Sequence, residues 1–183
     1  MKNTALLVID IQRGAFDGER CSPIDRPQTL VENALGLVSA ARAGGIPVIF
    51  IQHCDGAGEV FEEGSSQWEF HESLAPKVND KILKKYASSA FEGTDLAGSL
   101  ESAGAKELVL CGLQSEFCVF NTAKPALAEG FVVFVAQDGH STWPSKIETA
   151  VSISERINHQ LEGCGVRLSS TANLIRSLRE AQT

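Results

Sequence analysis

A cysteine that follows a buried strand and a tight turn is the most chemically suggestive feature of this sequence. The run Leu108-Val109-Leu110 stops at Gly112, a short polar link follows, and Cys118 opens a segment with helical spacing that reaches Gly130. The free N–H groups and partial positive charge of a helix N-terminus favour a thiolate and can also hold a developing oxyanion. A small buried core residue is the alternative for such a cysteine. Two further residues also sit just after apolar runs: Asp10 after Ala5-Leu6-Leu7-Val8-Ile9, and Lys85 after Ile82-Leu83. Asp10 could equally be a turn or cap aspartate. If the three meet, the carboxylate can take the thiol proton and pass it to a leaving amine. The ammonium then steadies both anions while the sulfur attacks an acyl carbon. Backbone N–H groups of Cys118 and of the turn before it would stabilise the tetrahedral oxyanion.

Bringing them together requires a particular architecture. Apolar runs at Ala5–Ile9, Ile46–Ile51, Glu107–Cys111 and Phe131–Ala136 read as strands buried on both faces, as in a parallel sheet covered by helices. Asp80–Lys85 is a more polar strand, expected near a sheet edge, and Val166–Leu168 is a short last strand. Between them lie helices expected over Gln28–Ala43, from an N-cap at Thr94 to about Ala103, from Cys118 to Gly130, from about Ser145 to Leu161, and from about Thr171. The pattern predicts a three-layer α/β/α sandwich with a mostly parallel six-stranded sheet, folded as a single domain over residues 1–183. Right-handed crossovers place the carboxyl ends of the strands on one side. If the strand order reverses between the first and fourth strands, Asp10 and Cys118 meet at the switch point.

Composition excludes several classes of partner. A net charge of −7 with no basic patch argues against nucleic acid or an anionic membrane. The five cysteines are scattered, with neither CxxC pairs nor zinc-ligand spacing, and no stretch reaches transmembrane length. A reduced, cytoplasmic protein is expected. Gln137–Pro144 reads as a loop, and Gly14–Pro27 and the long irregular stretch after His53 read as loops that could line a site, the last as a lid or binding loop carrying Phe61, Trp68, Phe70 and His71.

Three motifs carry a resemblance to the isochorismatase-like cysteine hydrolases, the superfamily that includes nicotinamidase and N-carbamoylsarcosine amidase. They are Val8-Ile9-Asp10-Ile11-Gln12; Lys85 with Ser89-Ala90-Phe91 and Thr94-Asp95-Leu96; and Gly112 through Cys118-Val119 with Thr122-Ala123. The resemblance implies Asp10 as general base and acid, Lys85 as the charge-stabilising residue and Cys118 as nucleophile. It also implies an oxyanion hole from Gln114 and Cys118 and a cis peptide between Leu113 and Gln114. Lys84 is the rival to Lys85, but strand alternation points it to the other face. Nicotinamidases carry an Asp-x-His metal motif after the second strand. This chain has Gln52-His53-Cys54-Asp55 there and keeps His71 later, so no metal and no cofactor are expected. His71 is expected as a hydrogen-bonding loop residue, and Glu116 as a first-turn acid favouring the helix dipole. Gln12, Phe16, Trp68, Phe91 and Phe117 are the expected substrate-binding wall of a small pocket. The resulting expectation is a cysteine amidohydrolase acting on a small amide or carbamoyl compound through a thioester, probed against two alternatives. These are an isochorismatase-type vinyl-ether hydrolase and a non-catalytic binding protein on the same fold. By resemblance, a homo-oligomer is also expected.

Overall fold

The computed structural model describes residues 3–74 and 76–180. Six strands form one parallel sheet in the order β3-β2-β1-β4-β5-β6. They are β1 (Thr4–Ile9), β2 (Val48–His53), β3 (Lys81–Lys85), β4 (Glu107–Leu113), β5 (Val132–Ser141) and β6 (Arg167–Ser169). The order runs outward from β1 through β2 to β3, then restarts at β4 on the other side of β1. The switch point lies between β1 and β4, as the sequence reading required.

Alternation along β1 sorts the core into two halves. Leu6 and Val8 point to one face and pack with Leu30, Ala34 and Leu37 of α1 (Pro27–Ala43) and with Leu174 and Leu178 of α5 (Thr171–Glu180). Ala5, Leu7 and Ile9 point to the other face. There they meet Leu96 and Leu100 of α2 (Leu96–Ser102), Ala123 and Ala126 of α3 (Phe120–Ala128), and Ile153 and Ile157 of α4 (Ala150–Gly163). Helices on both faces are why the central strands read as unbroken apolar runs. β3, at the edge, keeps Lys81 and Lys84 exposed because one side of it faces solvent.

The element boundaries differ from expectation in three places with physical causes. Gln137–Ser141, read as loop, continues β5: Leu110 pairs with Val135 and Gly112 with His140, so a bulge absorbs the polar Gln137-Asp138-Gly139 and the ladder resumes. The fourth helix begins at Ala150 rather than near Ser145. Thr149 caps it by accepting from the Ser152 N–H at 3.2 Å, while Ser145 closes a separate turn on Glu148. The second helix starts at Leu96, with Asp95 at the cap position. Thr94 nevertheless acts there, its hydroxyl accepting from the Leu96 N–H at 3.1 Å and donating to the Ala90 carbonyl.

Gly112 sets how closely β4 can approach β1. Its φ is +131°, and a Cβ added there would overlap the Ile9 carbonyl. Both the conformation and the space demand glycine. Gly112→Ala is expected to cost about 2–4 kcal/mol in urea unfolding and to shift the turn that follows. A variant as stable as the natural protein would show that β1 and β4 can separate without loss.

Candidate active site

Three strand ends deliver the three chemical groups. Asp10 leaves β1 with φ +53°, a left-handed conformation that aspartate tolerates, and its N–H donates to the Ile51 carbonyl at 3.0 Å. Lys85 ends β3 with its side chain turned inward and fully buried. Lys84 points the other way, pairing with Glu63 at 2.7 Å and lying over the Trp68 ring. Cys118 sits in a π-helical turn, Ser115–Val119, that precedes α3. The helical segment therefore begins three residues before Cys118 rather than at it. The Gln114 carbonyl accepts from the N–H groups of Phe117 and Val119, and the Leu113–Gln114 peptide is cis.

The Lys85 ammonium is the hub. Its nitrogen lies 2.8 Å from Asp10 Oδ2, 3.1 Å from Cys118 Sγ, 2.9 Å from His53 Nδ1 and 3.2 Å from the Ala87 carbonyl oxygen. An ammonium can only donate, so His53 Nδ1 accepts and the ring proton sits on Nε2, donating to Asp55 Oδ1 at 2.9 Å. Four acceptors face three N–H bonds. His53, Ala87 and Cys118 take the three, and Asp10 faces the ammonium as an ion pair with neither carboxylate oxygen hydrogen-bonded, leaving both free to accept a proton. Among the described residues, Asp10, His53 and Cys118 form the one group whose donor atoms could gather on a metal ion, lying within 4.8 Å of one another. Lys85 touches all three, so the chain's own ammonium fills the place of a cation there.

Burial and charge determine the resting protonation. Desolvation raises the Asp10 carboxyl above the usual aspartate range, outweighing the attraction of Lys85. Desolvation first, then the Asp10 charge, pushes the Cys118 thiol up to about 12 against the pull of Lys85. Burial thus outweighs the helix-terminus effect and holds Cys118 toward its thiol form, the form from which the carboxylate is expected to take a proton. The carboxylate beside it, with its raised proton affinity, is matched to accept the thiol proton on demand.

Sequence reasoning missed what holds this arrangement. Ser115 in the π-helical turn donates to His140 Nδ1 at 2.8 Å, and its oxygen lies 3.1 Å from Ser154 Oγ. His140 Nε2 contacts Asn158 Oδ1 at 2.9 Å, and the Asn158 amide donates to the Gln137 carbonyl. Burial lowers the His140 imidazole below its usual range, so the buried ring is neutral and works as one donor and one acceptor. His140 lies in the segment read as loop, which is why it carried no signal. On the other side, Thr122 Oγ1 accepts from the Ala90 N–H at 3.0 Å, and Asn121 donates to Ser88, tying the chain after Lys85 to α3.

A cavity of about 300 Å³ opens over Asp10 and Cys118. Its apolar wall is Val60, Phe61, Leu113, Phe117 and Trp143, and its other polar groups are His53, Asp55, Ser88 and Gln114. Of the five wall residues expected from sequence, Phe117 lines it and four do not. Gln12 is fully buried and clamps the backbone instead. Its amide donates to the carbonyls of His53 and Trp68, and its oxygen accepts from the His53 N–H at 2.8 Å. Phe16 stacks edge-on against His71 in a separate hollow, 4.8 Å between ring centres. Trp68 is turned toward Cys54, its indole N–H 3.3 Å from the sulfur, and lies under Lys84. Phe91 faces Phe131 in the core on the α3 side. His71 is a loop residue, as expected, accepting from the Ser73 N–H. Glu116 accepts from the Thr142 hydroxyl at 2.9 Å, tying the turn to the loop after β5.

The isochorismatase domain model matches residues 4–156, a span that contains all three strand ends and the π-helical turn. The chain belongs to the isochorismatase family. An isochorismatase family protein of Bacillus subtilis is 34% identical over 158 residues, covering 85% of this chain and 87% of its own. A streptothricin hydrolase of Streptomyces noursei is 32% identical over 84% of this chain, which spans about half (54%) of that enzyme's length. In three dimensions, a protein described as a candidate isochorismatase hydrolase from Oleispira antarctica superposes with a TM-score of 0.89 at 26% identity. That alignment covers 96% of this chain and 98% of that one. The chain is an isochorismatase-family hydrolase by these relationships. None of its described helices is long and apolar enough to cross a membrane.

Proposed function

We propose that this protein is a cysteine-dependent hydrolase of a small amide or carbamoyl compound, working through a thioester and releasing ammonia. The observation that carries the reading is the Lys85 ammonium lying between a buried carboxylate and a thiol on the floor of a cavity. Asp10 takes the Cys118 proton as the sulfur bonds to the acyl carbon, so the negative charge moves from carboxylate to substrate oxygen. Gln114 and Cys118 supply backbone N–H groups for that oxyanion. As it collapses, the C–N bond breaks and protonated Asp10 gives its proton to the departing nitrogen. A water then attacks the thioester, Asp10 accepts its proton, and the acid leaves as Cys118 regains a hydrogen. Lys85, within 2.8 Å of Asp10 and 3.1 Å of Cys118, keeps its charge beside both while the proton moves. That one relative is named for hydrolysis of streptothricin agrees with this class of chemistry.

The test is ammonia release from a panel of small amides and carbamoyl compounds, combined with mass spectrometry of acid-quenched enzyme. The expected result is release accompanied by an acyl adduct on Cys118, both lost in Cys118→Ala. Ammonia release that persists in that variant would overturn the reading.

A further inference from the structure

The lining of the cavity is one-sided in charge. Asp10 and Asp55 are its acidic groups, none of the described lysines or arginines lines it, and Lys85 lies beneath the floor with Asp10 as its ion-pair partner. Asp55 keeps both oxygens engaged locally, one with His53 and one with the Phe61 N–H at 2.9 Å, so its carboxylate is fixed at the wall. The insert that forms this wall continues the bias: residues 54–74 carry six acidic side chains and no lysine or arginine. Among the described residues, Glu62 and Glu63 are answered from outside the insert by arginine or lysine, Arg20 and Lys84, and Asp55 by His53. The remaining wall is apolar.

A carboxylate-bearing substrate entering here would give up water and find no cation on the wall, since the Lys85 charge below the floor is already answered by Asp10, and it would face the Asp55 carboxylate. An uncharged acyl group would meet Phe61, Phe117 and Trp143, and an amine would in addition find Asp55. Resting on the hydrolase reading above, we infer that the site selects uncharged and cationic amides and rejects anionic ones, with Asp55 as the residue that sets this preference. Isochorismate, a dicarboxylate, meets the same obstacle, so the inference also weighs against vinyl-ether chemistry on that compound.

Three amides of matched length test it: hexanamide, 6-aminohexanamide and adipamic acid, which end in a methyl, an ammonium and a carboxylate. The expected order of kcat/KM places adipamic acid about tenfold or more below hexanamide, with 6-aminohexanamide equal to hexanamide or better. The advantage of the amine over hexanamide should shrink in Asp55→Asn and at high salt, a ratio that a general loss of activity leaves alone. The same order is expected in equilibrium binding to Cys118→Ala, which reports charge selection without turnover. Failure of the natural protein to release ammonia while this binding order holds would count against the hydrolase reading alone. Adipamic acid binding as tightly as hexanamide would overturn the charge inference, whatever the turnover.

Discussion

Replacing Asp10 with asparagine is expected to make Cys118 easier to ionise and yet to remove turnover. The Asp10 charge is one of the two causes that hold the thiol up near 12, burial being the larger, while Lys85 acts in the opposite direction. Asparagine removes the repulsion and leaves the ammonium 3.1 Å from the sulfur, so the thiol should ionise at lower pH than in the natural protein. Alkylation of Cys118 by iodoacetamide, followed residue by residue because Cys164 is also exposed, should therefore have a midpoint below about 12 and run faster at neutral pH. Amide turnover should nevertheless fall by about 10³-fold or more, since no group remains to carry a proton from the thiol to the departing nitrogen. The opposite signs are the point of the experiment. A carboxylate that merely supported the fold would, on removal, lower turnover with no defined change in thiol acidity. If Cys118 becomes slower to alkylate in Asp10→Asn, the assignment of Asp10 as the repelling base is wrong.

The parts of this site that sequence disclosed are those fixed by chain topology. Asp10 and Cys118 follow runs that can only be central strands. The reversal of strand order between β1 and β4 then leaves them no other place to meet. The choice between Lys84 and Lys85 followed from the period of two along a strand, and the structure sends the first to Glu63 and the second to Asp10. What stayed hidden depends on contacts made across the fold. Gln12, Phe16, Trp68 and Phe91 have the residue types of a pocket wall. The direction in which the insert lies back on the body decides which aromatics face the cavity, and it presents Phe61 while turning Trp68 toward Cys54. His53 and Asp55, weighed from sequence only as remnants of a metal motif, instead orient the ammonium. His140 was lost because a bulge in β5 looks like a polar loop when read alone. The acidity of the Cys118 thiol was not legible for a related reason. Helix position can be read from spacing, but desolvation is a property of everything packed around the sulfur, and here it is the larger effect.

Lys85→Met should weaken the protein as well as silence it, and the size of the weakening should depend on pH in a direction that identifies the cause. The natural pair is buried on both sides, with Lys85 at 0% and Asp10 at 2% exposure, so removing the ammonium strands a carboxylate at a buried position. Breaking such a pair typically costs about 3–5 kcal/mol when the remaining group stays charged. The carboxyl can escape part of that by holding a proton, because its affinity, already raised by burial, rises further once Lys85 is gone. A folded-state pKa above the unfolded one means that stability is fully present below the unfolded value of 3.8 and is lost as pH climbs through the folded value. Urea unfolding should accordingly show a larger deficit for Lys85→Met at pH 8 than at pH 5. Adding Asp10→Asn to the variant removes the stranded charge and should recover most of the deficit at pH 8 without restoring turnover. A deficit that is the same at both pH values, and that the second substitution does not relieve, would mean that lost packing of the lysine stem and not an orphaned carboxylate is responsible. The expected outcome ties stability and chemistry to one atom. The nitrogen that makes a buried base and a half-buried nucleophile tolerable together is the one that stays beside the charge as the proposed reaction moves it between them.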